Sequence, residues 1–243
     1  MSTQTTTAQE GSIPRFESTL VIAFPDVLGA GPKILLSAAN AGTSGSSIPA
    51  WSHYFKKLST TRKSKTSTKT TDNDTKLGYS TTTLADQQKV SLLTIAAAPP
   101  TTEQASYLCE AIVSQARDSG TSRIVLVASS NFPTKDLRTH VLKLHHDSGP
   151  GFPEAPKNVS LGDHILNTFL TLLTFVNIPT TVLVHPAQKG VSLRELQAVI
   201  VNLTAGLTSV LGDSSLKEFS SERAFNHVFR MEDEESFGSL MYL

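Results

Sequence analysis

The feature that most restricts the fold of this chain is a repeated pattern. Short apolar, β-branched runs alternate with helices that carry their own start and stop signals. Val90-Ser-Leu-Leu-Thr-Ile-Ala96 has the length and side chains of a buried strand, and Pro99-Pro100 breaks it. Thr101 and Gln104 then stand at capping-box spacing, Thr to accept from the third helical N–H and Gln to reach back. Ala105, Leu108, Cys109, Ile112, Val113 and Ala116 recur at helical spacing, so one face is apolar. Gly120 closes the helix where a positive φ costs least. Arg123-Ile-Val-Leu-Val-Ala128 is the next strand. The order is β-α-β.

A second unit of this kind follows. Residues 148–158, rich in Pro and Gly, read as a loop. Ser160 with Asp163 is expected to begin a helix that carries Leu161, Ile165, Leu166, Phe169, Leu170, Leu172, Leu173 and Val176. That helix is apolar around most of its circumference, so it belongs in the core or in an interface, and the need to cover the strands favours the core. Asn177-Ile-Pro179 ends it just before the strand Thr180-Thr-Val-Leu-Val-His185. Ser192 and Glu195 cap a further helix through Leu196, Val199, Ile200 and Leu203. Short connections of this sort predict a single α/β domain whose central β-sheet is flanked by helices.

The N-terminal half is less regular. Residues 1–15 are rich in Thr, Ser and Gln and offer little apolar surface to offset the entropy of ordering them, so disorder is expected. Thr19-Leu-Val-Ile-Ala-Phe24 reads as a buried strand stopped by Pro25, with a strand-exit turn over Gly29–Lys33 and an apolar turn or helix over Ile34–Ala39. Residues 59–76 are eighteen in number, ten of them Ser or Thr, and none is apolar; they read as a low-complexity loop. The expected organisation is a disordered 1–15, an α/β domain over 16–230 that contains this loop, and an acidic tail over 231–243.

Composition removes several function classes. Lys+Arg and Asp+Glu number 21 each, so the formal net charge is zero, and the excess of basic charge that phosphate-backbone binding draws on is missing. No run of 18 apolar residues marks a membrane span. The polar N-terminus lacks the basic and apolar regions of a secretory signal, and a single cysteine cannot form an internal disulfide. These features fit a cytoplasmic or nuclear setting. Neutrality here is a sum of opposed segments. Residues 51–89 hold eight Lys/Arg against three Asp/Glu, and residues 213–243 hold three against seven.

Catalytic and cofactor signatures are weak. Gly29-x-Gly31 follows a strand, but position 34 is Ile where a dinucleotide loop needs a third glycine, and Pro32 removes an N–H. Lys33 precedes Ile34 rather than the Ser or Thr of a P-loop. His140 and His145 are five apart, which does not suit a metal pair on a helix; a solvated loop or helix end is the expected setting for the 140–147 cluster. Cys109 lies on an apolar helix face, where thiols are usually inert. No G-x-S-x-G elbow occurs. Neither a metal nor a cofactor is expected, and nothing argues for an enzyme.

The C-terminal residues point elsewhere. After Glu232-Asp-Glu-Glu235 the sequence runs Ser236-Phe-Gly-Ser-Leu-Met241-Tyr242-Leu243, and its last three residues match the hydrophobic–tyrosine–any-residue motif, HbYX. A terminal carboxylate is a charge whose position is fixed by chain length, so a pocket lysine can pair with it. Tyr242 offers a stiff aromatic body with a hydroxyl, and Met241 fills an apolar slot with little demand on shape. Val159-Ser-Leu-Gly-Asp-His-Ile-Leu through Val176-Asn-Ile-Pro179, then Thr180–His185 and the capped helix from Ser192, resembles the proteasome assembly chaperone 1 family. In that family an apolar helix passes through a short Ile-Pro hinge into a strand, a helix and an HbYX tail. The resemblance covers roughly residues 159–204 and the last three, and the low-complexity segments are similar to those of fungal members.

The resemblance implies a non-catalytic assembly factor. It would pair with the related second chaperone, proteasome assembly chaperone 2. The heterodimer would bind the α-ring of the 20S proteasome, aid core-particle assembly and keep regulators off immature cores. The partner-binding residues it implies are Met241, Tyr242 and Leu243, the last through its carboxylate. The rival reading is an α/β-fold hydrolase or small-molecule-binding protein, which needs a polar constellation at strand ends, around Ser129-Ser130-Asn131 or His185. A third is an HbYX-bearing proteasome activator.

Overall fold

Among the described residues of the computed structural model, seven strands form one sheet in the order β2-β3-β4-β1-β5-β7-β6. The model describes residues 15–39, 46–47, 77–83, 89–95, 101–145, 151–155, 161, 163–212 and 219–226. The 59–76 segment, residues 1–14 and the 231–243 tail with Met241, Tyr242 and Leu243 lie outside the described residues.

The strands are β1 (Thr19–Ala23), β2 (Ser46–Ser47), β3 (Leu77–Thr83), β4 (Lys89–Ile95), β5 (Arg123–Ser130), β6 (His140–Leu144) and β7 (Thr180–Pro186). The four middle strands, β4-β1-β5-β7, run parallel. β2 and β3 extend one edge antiparallel, and β6 closes the other antiparallel to β7. The helices are α1 (Ala30–Ala39), α2 (Thr102–Ser119), α3 (His164–Val176) and α4 (Leu193–Leu211). β1, buried at every residue, is flanked by strands on both sides and packed on both faces; hence its uninterrupted apolar sequence.

The sheet divides the core in two. Ile124, Leu126 and Ala128 of β5 pack with α2 and α3, while Val125 and Val127 of the same strand pack with α1 and α4. This is the period-2 alternation of a strand buried on both faces. The expected α/β domain with helices flanking a central sheet is what the chain forms.

The caps behave largely as their sequences require. Ser192 and Glu195 make a complete capping box, and Gly120 closes α2 at φ 76°. Thr101 accepts from the Gln104 N–H at 3.2 Å, but Gln104 Oε1 is buried with no partner among the described residues, so the return half of that box is not shown. α3 starts later than expected: its N-cap is Asp163, whose carboxylate accepts from the Leu166 N–H at 2.9 Å. The core placement of α3 holds for Ile165, Leu166, Phe169 and Leu173, whereas Phe175 is 82% exposed.

Two other expectations need correction. His140 is not in a solvated loop; it is buried in β6, edge-on to Phe132 with ring centroids 5.3 Å apart. Gly29–Lys33 is not merely a turn, because α1 begins at Ala30 and takes in Gly31 and Pro32. Pro32 is tolerated there because the first N–H groups of a helix have no intrahelical acceptor to lose. Gly31 is required by contact: a Cβ at that position would stand 2.5 Å from the Val127 carbonyl oxygen.

Candidate functional site

In open α/β sheets, ligands gather at the carboxyl ends of parallel strands where connections diverge. Here that place lies between β1 and β5: the chain leaves β1 toward β4, then crosses β1 through α2 to reach β5. It holds Asp26, three residues beyond β1. Oδ1 of Asp26 accepts from Ser129 Oγ–H at 2.6 Å, Leu28 N–H at 3.0 Å and Ala30 N–H at 3.2 Å. Oδ2 accepts from Ser129 N–H at 2.7 Å and Gly31 N–H at 3.3 Å. Ser129 Oγ in turn accepts from Leu28 N–H at 3.1 Å.

Two consequences follow from this geometry. Burial of the Asp26 carboxylate pushes its pKa above 3.8, against the lowering effect of its bonds from Ser129, Gly31 and Leu28. The N-terminus of α1, which elsewhere would attract a phosphate, already has a carboxylate from its own chain on its first N–H groups. The glycine pair therefore serves the turn and the close approach to β5, not a nucleotide. Ser129, fully buried, is a donor within this lock rather than a nucleophile facing a substrate.

One strand further along, the ends of β5 and β7 and the N-terminal half of α4 enclose a cleft of about 350 Å³. Its wall includes two residues singled out in the sequence, Asn131 and His185, while Ser129 and Ser130 are not part of it. His185 is 4% exposed. Its Nδ1 lies 2.8 Å from the Pro186 carbonyl, which can only accept, so Nδ1 carries the proton. Nε2 is then an acceptor for the Asn202 amide at 3.2 Å. Burial lowers the His185 pKa, and His140 on the adjacent strand adds to this, so the ring is held neutral. His185 is thus positioned by two fixed bonds, with no serine among the hydrogen-bond partners described for it. The arrangement is that of a scaffold, not a catalytic pair.

Cys109 is likewise unsuited to chemistry. It is fully buried, and burial, helped by the charge of Asp163, pushes its thiol up to about 12. Among the described residues, no group of three or more His, Cys, Asp or Glu could hold a metal ion. No described helix is long and apolar enough to cross a membrane. Sequence reasoning did not single out Asp26; an Asp four and five residues before the first helical N–H groups was the available signal.

No protein-family model matches the chain, and no curated protein matches it. Solved structures do. PbaB of Pyrococcus furiosus, described as an archaeal proteasome activator, is 10% identical, with 96% of this chain and 96% of that chain covered at a TM-score of 0.54. PbaA of the same organism, described as an archaeal homolog of proteasome-assembly chaperone, is 13% identical over 91% of this chain and 92% of that one, at 0.53. A protein of unknown function from Corynebacterium glutamicum is 12% identical over 97% and 90%, at 0.58. At such identities the likeness is one of backbone architecture. The conclusion it permits is that this chain, with its mixed sheet and paired helical layers, has the fold of PbaA and PbaB.

Proposed function

We propose that this chain is a non-catalytic proteasome assembly chaperone. The observation that carries the reading is the fold shared with PbaA and PbaB over more than nine-tenths of each chain. The tail adds to it. Met241, Tyr242 and Leu243 form an HbYX motif that docks in a pocket between α subunits of the 20S proteasome, the Leu243 carboxylate pairing with a pocket lysine. The domain over 16–230 pairs with a related second chaperone, and the tail over 231–243 reaches the α-ring. Occupied pockets then keep regulators off immature cores. The acidic run Glu232–Glu235 speeds encounter with basic pocket rims more than it adds affinity. This work takes place in the cytoplasm or nucleus.

A second reading, a proteasome activator, is favoured by the likeness to PbaB. The two separate on mature 20S particles. An activator raises peptide hydrolysis, whereas a chaperone binds without raising it and associates with α-ring intermediates. The hydrolase reading is disfavoured by the commitment of Ser129 to Asp26 and of His185 to Pro186 and Asn202. Binding to 20S or isolated α-rings, with the second chaperone present, tests the proposal with and without the last three residues.

A further inference from the structure

The cleft between β5, β7 and α4 has a particular chemistry. Three carboxamides, Asn131, Gln188 and Asn202, share its lining with the apolar surfaces of Phe132, Pro186 and Val199. Two ionisable groups are present, and both are engaged. His185 is buried, with its ring nitrogens bonded to Pro186 and Asn202. Glu195 Oε2 accepts from Ser192 N–H and Ser192 Oγ–H, both at 2.8 Å, at the start of α4. The described lining includes no Lys or Arg, so an anionic ligand would meet a carboxylate and no counter-charge.

A carboxamide both donates and accepts in one plane, which is what a peptide group does. Three of them around apolar walls match a backbone flanking an apolar side chain. The volume stands at the small end of ligand pockets, roughly 300–1,000 Å³. Leu137, in the lining, is 71% exposed, so apolar surface continues outward past the cavity. A ligand enclosed by the cavity would leave that surface in water; an extended chain would cover it.

We infer that this cleft binds an extended segment of a partner protein. One uncharged apolar side chain fills the space against Phe132, Pro186 and Val199. Its flanking peptide groups pair with Asn131, Gln188 and Asn202, and the next residue lies on Leu137. The described lining draws on none of residues 231–243, so this site is tested separately from the tail.

The test uses the full chain labelled with ¹⁵N and two probes, N-acetyl-leucinamide and N-acetyl-leucyl-leucinamide. 4-Methylvalerate, an apolar carboxylate without an amide, is the control. Both amides shift the side-chain NH₂ signals of Asn131, Gln188 and Asn202, the longer one at lower concentration, and the carboxylate does not. Ala198 lines the cleft on an exposed helix position, so Ala198→Trp fills it without entering the core and weakens both amides by about tenfold or more. Leu137→Ser removes only the advantage of the longer probe. Equal binding of carboxylate and amide overturns the peptide reading, as does a longer probe that binds no better. Shifts that persist in Ala198→Trp place the binding elsewhere and overturn the site.

Discussion

Replacing Asp26 by Asn tests the lock between β1, α1 and β5. The change keeps the shape of the side chain and one acceptor oxygen, and turns the other into an NH₂ donor. With the amide oxygen in place of Oδ1, the bonds from Ser129 Oγ, Leu28 N and Ala30 N survive. The N–H groups of Ser129 and Gly31 then face a donor at the former Oδ2. Each enclosed N–H left without an acceptor costs about 1–3 kcal/mol, so the pair costs about 2–6 kcal/mol. At roughly 2–4 °C per kcal/mol for a chain of this size, the melting temperature falls by about 4–24 °C. The assay is urea unfolding alongside a thermal melt, with unchanged m-values showing that the denatured state is the same. The sign with pH is also fixed. Because the folded pKa of Asp26 is raised, its favourable contribution is complete below 3.8 and is lost as pH rises through the folded value. The gap between wild type and Asp26→Asn is therefore wider at pH 4 than at pH 7. A stability change below about 1 kcal/mol, or a gap that widens with rising pH, refutes the reasoning.

Two further perturbations probe the same architecture. Gly31→Ala drives a methyl to within 2.5 Å of the Val127 carbonyl, a backbone atom that cannot swing away; overpacking of about 1–3 kcal/mol lowers the urea midpoint, and an unchanged midpoint contradicts the contact. The Cys109 thiol, buried and pushed up to about 12, reacts with iodoacetamide at pH 8 only as fast as the chain unfolds; labelling at the rate of a free thiol contradicts its enclosure.

The β-α-β over residues 90–128 was legible because its signals are local: an apolar run, a cap, a helical period and a stop glycine lie within a few residues of one another. The same holds for Ser192–Glu195, whose box forms in full. The antiparallel strands β3 and β6 were not legible. β3 is polar and Thr-rich, and β6 is His-Val-Leu-Lys-Leu, so both owe their strand state to a neighbour supplied from elsewhere in the chain. The start of α1 was hidden because Gly31 and Pro32 usually mark turns, and the contact with Val127 that explains the glycine is tertiary. Asp26 was missed for the same reason: its main partner, Ser129, lies 103 residues away. Asn131 and His185 were found as strand-end polar residues, but their place in a carboxamide-lined cleft depends on Gln188 and Asn202, which carry no motif. The tail was singled out by its motif alone, and it lies outside the described residues.

Association with the proteasome is the claim on which the functional account stands. Co-sedimentation of the chain, with its second chaperone present, on 20S particles and on isolated α-rings measures it directly. Binding by the chain ending Met241-Tyr242-Leu243 is expected, with its loss, by about tenfold or more, when those three residues are removed. Binding that is unchanged by the truncation, or no binding by the intact chain, contradicts it.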